Sequence, residues 1–162
     1  RLFGNKFSFI PSTTEMNALV NSIVKWRPFP DTVKALQAFK KKYKLAVISN
    51  IDDNLFSLTE QNLQTKFDWV ITSQQVGVYK PSVKIFEHAL HEINYSPGQV
   101  LHIAQSQYHD IHPAKSLGIT TIRVNRRLGK PGFGATPPSY VKADLEVHDL
   151  KKLVTLMGLD TA

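Results

Sequence analysis

The chain has 162 residues, 42% of them hydrophobic and 20% charged. That is a globular composition, long enough to bury roughly 68–70% of the surface exposed by the unfolded form. No apolar run approaches the ~18 residues of a membrane helix, and the lack of cysteine excludes a disulfide framework, a thiol nucleophile and a thiolate metal site. A net charge of +7 raises nucleic acid as a partner, but the basic residues are neither concentrated nor interleaved with aromatics, so neither nucleic acid nor membrane is expected, and the setting expected is a reducing cytoplasm.

Residues 1–27 lack strand alternation; Ser12, Thr13 and Thr14 ahead of Glu15 read as a helix start, followed by MNALVNSIVKW near helical spacing. In RPFPDTVKALQAFKKKYK, Pro30 and Asp31 open a second helix, with Val33, Leu36 and Phe39 on one side and lysines at its negative end. Strand and helix signals then alternate: KLAVIS, a strand; DNLFSLTEQNL, a helix; FDWVITS, a strand; PSVKIFEHALHEI, a helix; VLHIA, a strand; HPAKSLG, a short helix; and TTIRVNR, a strand. A loop rich in glycine and proline runs from Gly129 to Pro138, before a last short strand in DLEVHDL and a helix in KKLVTLMGL. Uniformly apolar strands separated by helices predict an α/β fold with a parallel sheet covered on both faces.

Ligands of such sheets bind beyond the carboxyl ends of the strands, which singles out the side chains just after each strand. Ser49 and Asn50 end KLAVIS, Lys80 follows in VYKPS, and Gln105 and Asp110 follow VLHIA. Ser49 and Asn50 also suit an ordinary cap and turn. Lys80, fixed ahead of Pro81 at a helix start, places an ammonium where it can offset anionic charge. Other signals are weaker: Asp68 precedes its strand instead of following it, His88, His91 and Glu92 have the wrong order for a zinc helix, and GKPGFGAT lacks the order of a phosphate-binding loop. His109, Asp110 and His112 suit a surface turn better than a metal site, so no metal is expected.

A hydroxyl, an amide, a lysine and a carboxylate in this order resemble motifs two to four of the haloacid dehalogenase superfamily, and the wording is most similar to its type II 2-haloacid dehalogenase branch. The resemblance extends over WRPFPDT, QVGVYKP and the stretch from Leu101 to Arg127. It implies a Rossmann-like core over residues 28–162 and, over residues 1–27, the remainder of a helical cap. The family's first motif, a strand ending in the nucleophilic aspartate, would lie upstream of Arg1, with that strand central between those ending at Ser49 and near Gln105.

The implied reaction is attack of that aspartate on the halogen-bearing carbon of a small carboxylic acid such as a 2-haloacid, release of halide, and hydrolysis of the aspartyl ester. The resemblance assigns Ser49 and Asn50 to the substrate, Lys80 to the clustered negative charge, and Asp110 to Lys80 and the attacking water. Gln105, Gln107, His109 and Phe86 fall in the substrate surroundings; Phe86 stands where the branch usually has tyrosine and His109 where it tends to have tryptophan. Phosphatases of the superfamily usually carry aspartate at the position of Gln105 to help bind magnesium, so Gln105 favours the branch that uses no metal or other cofactor. The alternatives are a phosphatase, the one case that would use magnesium, or another small-molecule hydrolase, and a non-catalytic fragment or pseudoenzyme that binds a partner; a homodimer is also compatible. The segment alone is expected to be inactive, and poorly folded or self-associating through unpaired strand edges.

Overall fold

The computed structural model describes residues 2–131 and 136–159, with side chains from residue 5 onward. Helix α1 spans Leu2–Phe7 and α2 spans Thr13–Ser22, followed by a 3-10 turn at Ile23–Lys25. Ser12 caps α2 as its sequence predicts: its hydroxyl accepts from the Glu15 amide while the Glu15 carboxylate accepts from the Ser12 amide. No residue of α2 is buried, and Leu19 and Trp26 stay exposed. The amide of Asn62 ties this region to the rest by donating to the carbonyls of Val24 and Trp26.

Beyond it, α3 (Thr32–Lys40), β1 (Ala46–Ser49), α4 (Asp53–Leu63), β2 (Trp69–Thr72) and α5 (Ser73–Val76) follow in order. Then come α6 (Val83–Ile93), β3 (Leu101–Ala104), a π turn (Gln107–Ile111), α7 (His112–Ser116), β4 (Thr120–Val124), β5 (Leu145–Val147) and α8 (Leu150–Leu156). All strand pairings are parallel, as uniformly apolar strands between helices require. They form two sheets, β1–β2 and β3–β4–β5, and among the described residues no strand joins β1 to β3. The loop from Gly129 to Pro138 lies partly outside the described residues.

Two apolar clusters hold the layers. Ala35, Ala38 and Phe39 of α3 meet Ile122, Val124, Val147, Leu153 and Val154 from β4, β5 and α8. Ile71, Ile85, Phe86, Ala89, Ala114 and Ile119 form the second, where α6 and α7 cover the sheet. The buried stripe of α3 thus runs through its alanines, while Val33 and Leu36 are only half-buried. Asp31 stands at the start of α3, but its carboxylate turns away from the helix to a bidentate pair with Arg126, both distances 3.0 Å, and accepts the Leu150 amide at 2.7 Å.

Two further carboxylates tie chain segments together. Asp68 accepts from Lys40, the Leu45 amide and Lys44; Asp144 accepts from Lys115 and from both the amide and hydroxyl of Thr121. Lys40 foremost holds the Asp68 carboxyl far below the usual carboxylate range, and Lys115 does the same for Asp144. A carboxyl depressed in the folded state stabilises above its unfolded pKa of about 4, and that contribution disappears as pH falls through the folded value. Melting temperature is therefore expected to hold steady from neutrality to about pH 5 and to fall below about pH 4; Asp68→Asn and Asp144→Asn should each flatten that fall. No helix among the described residues is long and apolar enough to cross a membrane.

Candidate active site

Asn50, after β1, and Asp110, after β3, come together around one lysine. Gly77 ends α5 at a φ of 74°, a left-handed turn suited to glycine, and the chain reaches Lys80 just ahead of α6. The side chain of Asn50 grips the main chain of residue 80 from both sides: its oxygen accepts the Lys80 amide at 2.7 Å and its nitrogen donates to the Lys80 carbonyl at 3.1 Å. The lysine Nζ then donates to the Ile48 carbonyl of β1 at 2.9 Å and to Asp110 Oδ1 at 2.7 Å. Its third N–H has no acceptor among the described residues.

Asp110 is delivered by the π turn, which Ser106 caps by accepting the His109 amide at 3.0 Å. The Lys80 and Asp110 side chains are only 13% and 10% exposed, so the pair is screened little by water. His102 Nε2 lies 3.4 Å from the same Asp110 oxygen; an ionised carboxylate can only accept, so a hydrogen bond between them needs the proton on Nε2. Burial alone would raise the Asp110 carboxyl; the His102 hydrogen bond and the Lys80 charge outweigh it and hold the group below its ordinary value.

The other expected site residues divide by what they touch. Ser49 and Gln105 are half-buried at the ends of β1 and β3, and neither side chain forms a hydrogen bond among the described residues. Asn50 is committed to Lys80, Gln107 donates to the Val141 carbonyl at 3.1 Å, and His109 Nδ1 sits 3.1 Å from the Ser106 hydroxyl. Phe86, expected in the substrate surroundings, is 0% exposed in the core, its ring edge-on to His102 at 5.3 Å. His102 and the Ile48 carbonyl escape the sequence reading. A titratable residue inside the apolar run VLHIA was the available sign of the first; a backbone acceptor leaves none.

Among the described residues no group of three or more His, Asp or Glu side chains is placed to hold a metal ion. The donors at hand are one carboxylate already paired with an ammonium, two amides and a hydroxyl. That set fits an anion better than a hard dication, which favours several anionic oxygens.

The family model of haloacid dehalogenase-like hydrolases matches residues 5–124. The chain belongs to that family. A glyceraldehyde 3-phosphate phosphatase of Methanothermobacter thermautotrophicus is 36% identical over 105 residues, 63% of this chain and 46% of that protein. An (S)-2-haloacid dehalogenase 4A of Burkholderia cepacia is 26% identical over 135 residues, 80% of this chain and 55% of that protein. The chain thus spans about half the length of the curated relatives it matches. In three dimensions, the crystal structure of an L-2-haloacid dehalogenase superposes with a TM-score of 0.81 at 23% identity, covering 98% of this chain and 68% of that one. A phosphatase of the family from Thermococcus onnurineus superposes with a TM-score of 0.71 at 26% identity, covering 99% of this chain and 71% of that one. The haloacid dehalogenase-like hydrolase fold, an α/β core with parallel strands, is therefore the architecture here.

Proposed function

We propose that this haloacid dehalogenase-like hydrolase acts on a small anionic substrate by the dehalogenase type of chemistry, in which a carboxylate attacks carbon and water hydrolyses the resulting ester. The observation that carries this reading is the Lys80 ammonium, held by the Ile48 carbonyl and Asp110 with one N–H uncommitted among the described residues, at the end of the sheet where Ser49 and Gln105 close β1 and β3. An ammonium fixed in place stabilises negative charge that builds up beside it without needing to reorganise. In this scheme Ser49 and Gln105 orient the substrate anion, Lys80 offsets its charge together with that of the attacking carboxylate, and Asp110 fixes Lys80. Asp110, held in its pair with Lys80, is not the attacking carboxylate in this scheme; the resemblance assigns that group to a preceding strand.

Relatives named as phosphatases support a second reading, a phosphatase using magnesium; Gln105, where the resemblance leads one to expect aspartate in a phosphatase, favours the first. The test, on protein that includes the segment carrying the attacking carboxylate, is halide release from 2-chloropropionate and phosphate release from p-nitrophenyl phosphate, each with EDTA or with magnesium. Halide release that survives EDTA is the expected result. Phosphate release that requires magnesium, without halide release, would overturn the proposal. Under the proposed chemistry Gln105→Asp should cut halide release at least tenfold, because it adds a negative charge where an anion must sit.

A further inference from the structure

His102 is a half-buried titratable side chain to which the reaction above assigns no part. It lies within β3, in register with Thr121 of β4. The Thr121 hydroxyl is committed to Asp144, and α6 presents the edge of Phe86 to the imidazole, at 5.3 Å and 77°. The charged groups facing the ring are therefore Asp110, from the turn after β3, and behind it Lys80, from the turn before α6; both meet at one oxygen, Asp110 Oδ1.

A single contact with Lys80 would leave the Asp110 carboxyl free to rotate about its last torsion, because lysine is a flexible point charge without a fixed fork. Two donors converging on the same oxygen from different elements remove that freedom. Phe86, with no exposed surface, gives the imidazole a wall that cannot yield. We propose that His102 is a positioning residue, which donates its Nε2 proton to Asp110 Oδ1 and so fixes the carboxylate plane that aims Lys80 and leaves Oδ2 uncommitted. The inference rests on Asp110 and Lys80 being the working pair of the site, but its geometry holds whatever the substrate.

The test needs no substrate. The Asp110 carboxyl carbon is followed by NMR through a pH titration of the full chain, in wild type, His102→Phe and His102→Gln. Loss of the donor in His102→Phe should raise the Asp110 midpoint by about one pH unit, with His102→Gln recovering part of the shift because it keeps an N–H. A folded His102→Phe with an unmoved midpoint overturns the proposal, as does a shift of equal size in both variants. If His102→Phe does not fold, long-range proton–nitrogen spectra of the wild type at pH 8 decide: protonation at Nε2 supports the role, and protonation at Nδ1 overturns it. Where a substrate is in hand, the same variants should lower kcat in the order Phe below Gln with KM little changed. Failure to find any hydrolysis would count against the proposed chemistry and leave the titration result standing.

Discussion

Lys80→Met is expected to destabilise the chain by about 3 kcal/mol and to reduce hydrolysis by at least about a hundredfold. The stability loss has two sources. Asp110, 10% exposed, is left as a buried carboxylate with only the long His102 contact, and the Ile48 carbonyl loses its donor. Removing one member of a buried ion pair commonly costs 3–5 kcal/mol, and the remaining imidazole puts this case at the lower end. The double variant Lys80→Met with Asp110→Asn should be more stable than Lys80→Met alone, since no uncompensated charge remains. Urea unfolding with an unchanged m-value checks both. The pH dependence has a definite sign as well. Asp110 is depressed in the folded state, so its contribution is present above the unfolded pKa of about 4 and fades as pH falls through the folded value. Lys80→Met should weaken that acid-side loss.

Asp31→Ala is expected to cost about 3 kcal/mol while acting far from the lysine. The carboxylate is 12% exposed and joins three segments: a bidentate Arg126 just after β4, the amide that opens α8, and its own place at the start of α3. Arg126 stacks over the Phe29 ring at 4.1 Å, so the guanidinium is held on two sides. Burial would raise the Asp31 carboxyl, but the Arg126 hydrogen bonds and the Leu150 amide keep it below the ordinary value. The acid-side sign is therefore the same as for Asp110. Asp31→Asn keeps an acceptor for Leu150 and should lose less. Comparing the two by chemical denaturation separates the charge from the hydrogen bond, and equal losses would contradict the charge-assisted account.

Much of this was legible in the chain because apolar spacing and turn residues are local signals. DNLFSLTEQNL matches α4 from end to end, and the capping box at Ser12 stands where the S-x-x-E order puts it. Strand ends were harder: Lys44 and Leu45 of KLAVIS continue the apolar strand reading but lie outside the pairing of β1 with β2. The π turn at Gln107–Ile111 has no periodicity to betray it, and Ser106 and Asp110 acquire their meaning only once it forms. Residues at strand ends were singled out by position and by the resemblance. What position cannot tell is which atom each side chain engages: Asn50 and Gln107 hold backbone, Phe86 is core, and Asp31 serves a partner 95 residues away.

The way Asn50 holds residue 80 separates where a group is displayed from what the group is. Both amide bonds go to the main chain, which every residue except proline offers in full, so the socket does not discriminate among side chains. Position 80 is thus held through its main chain, while the demand for lysine there comes from the far end of the side chain, where Ile48 and Asp110 take its protons.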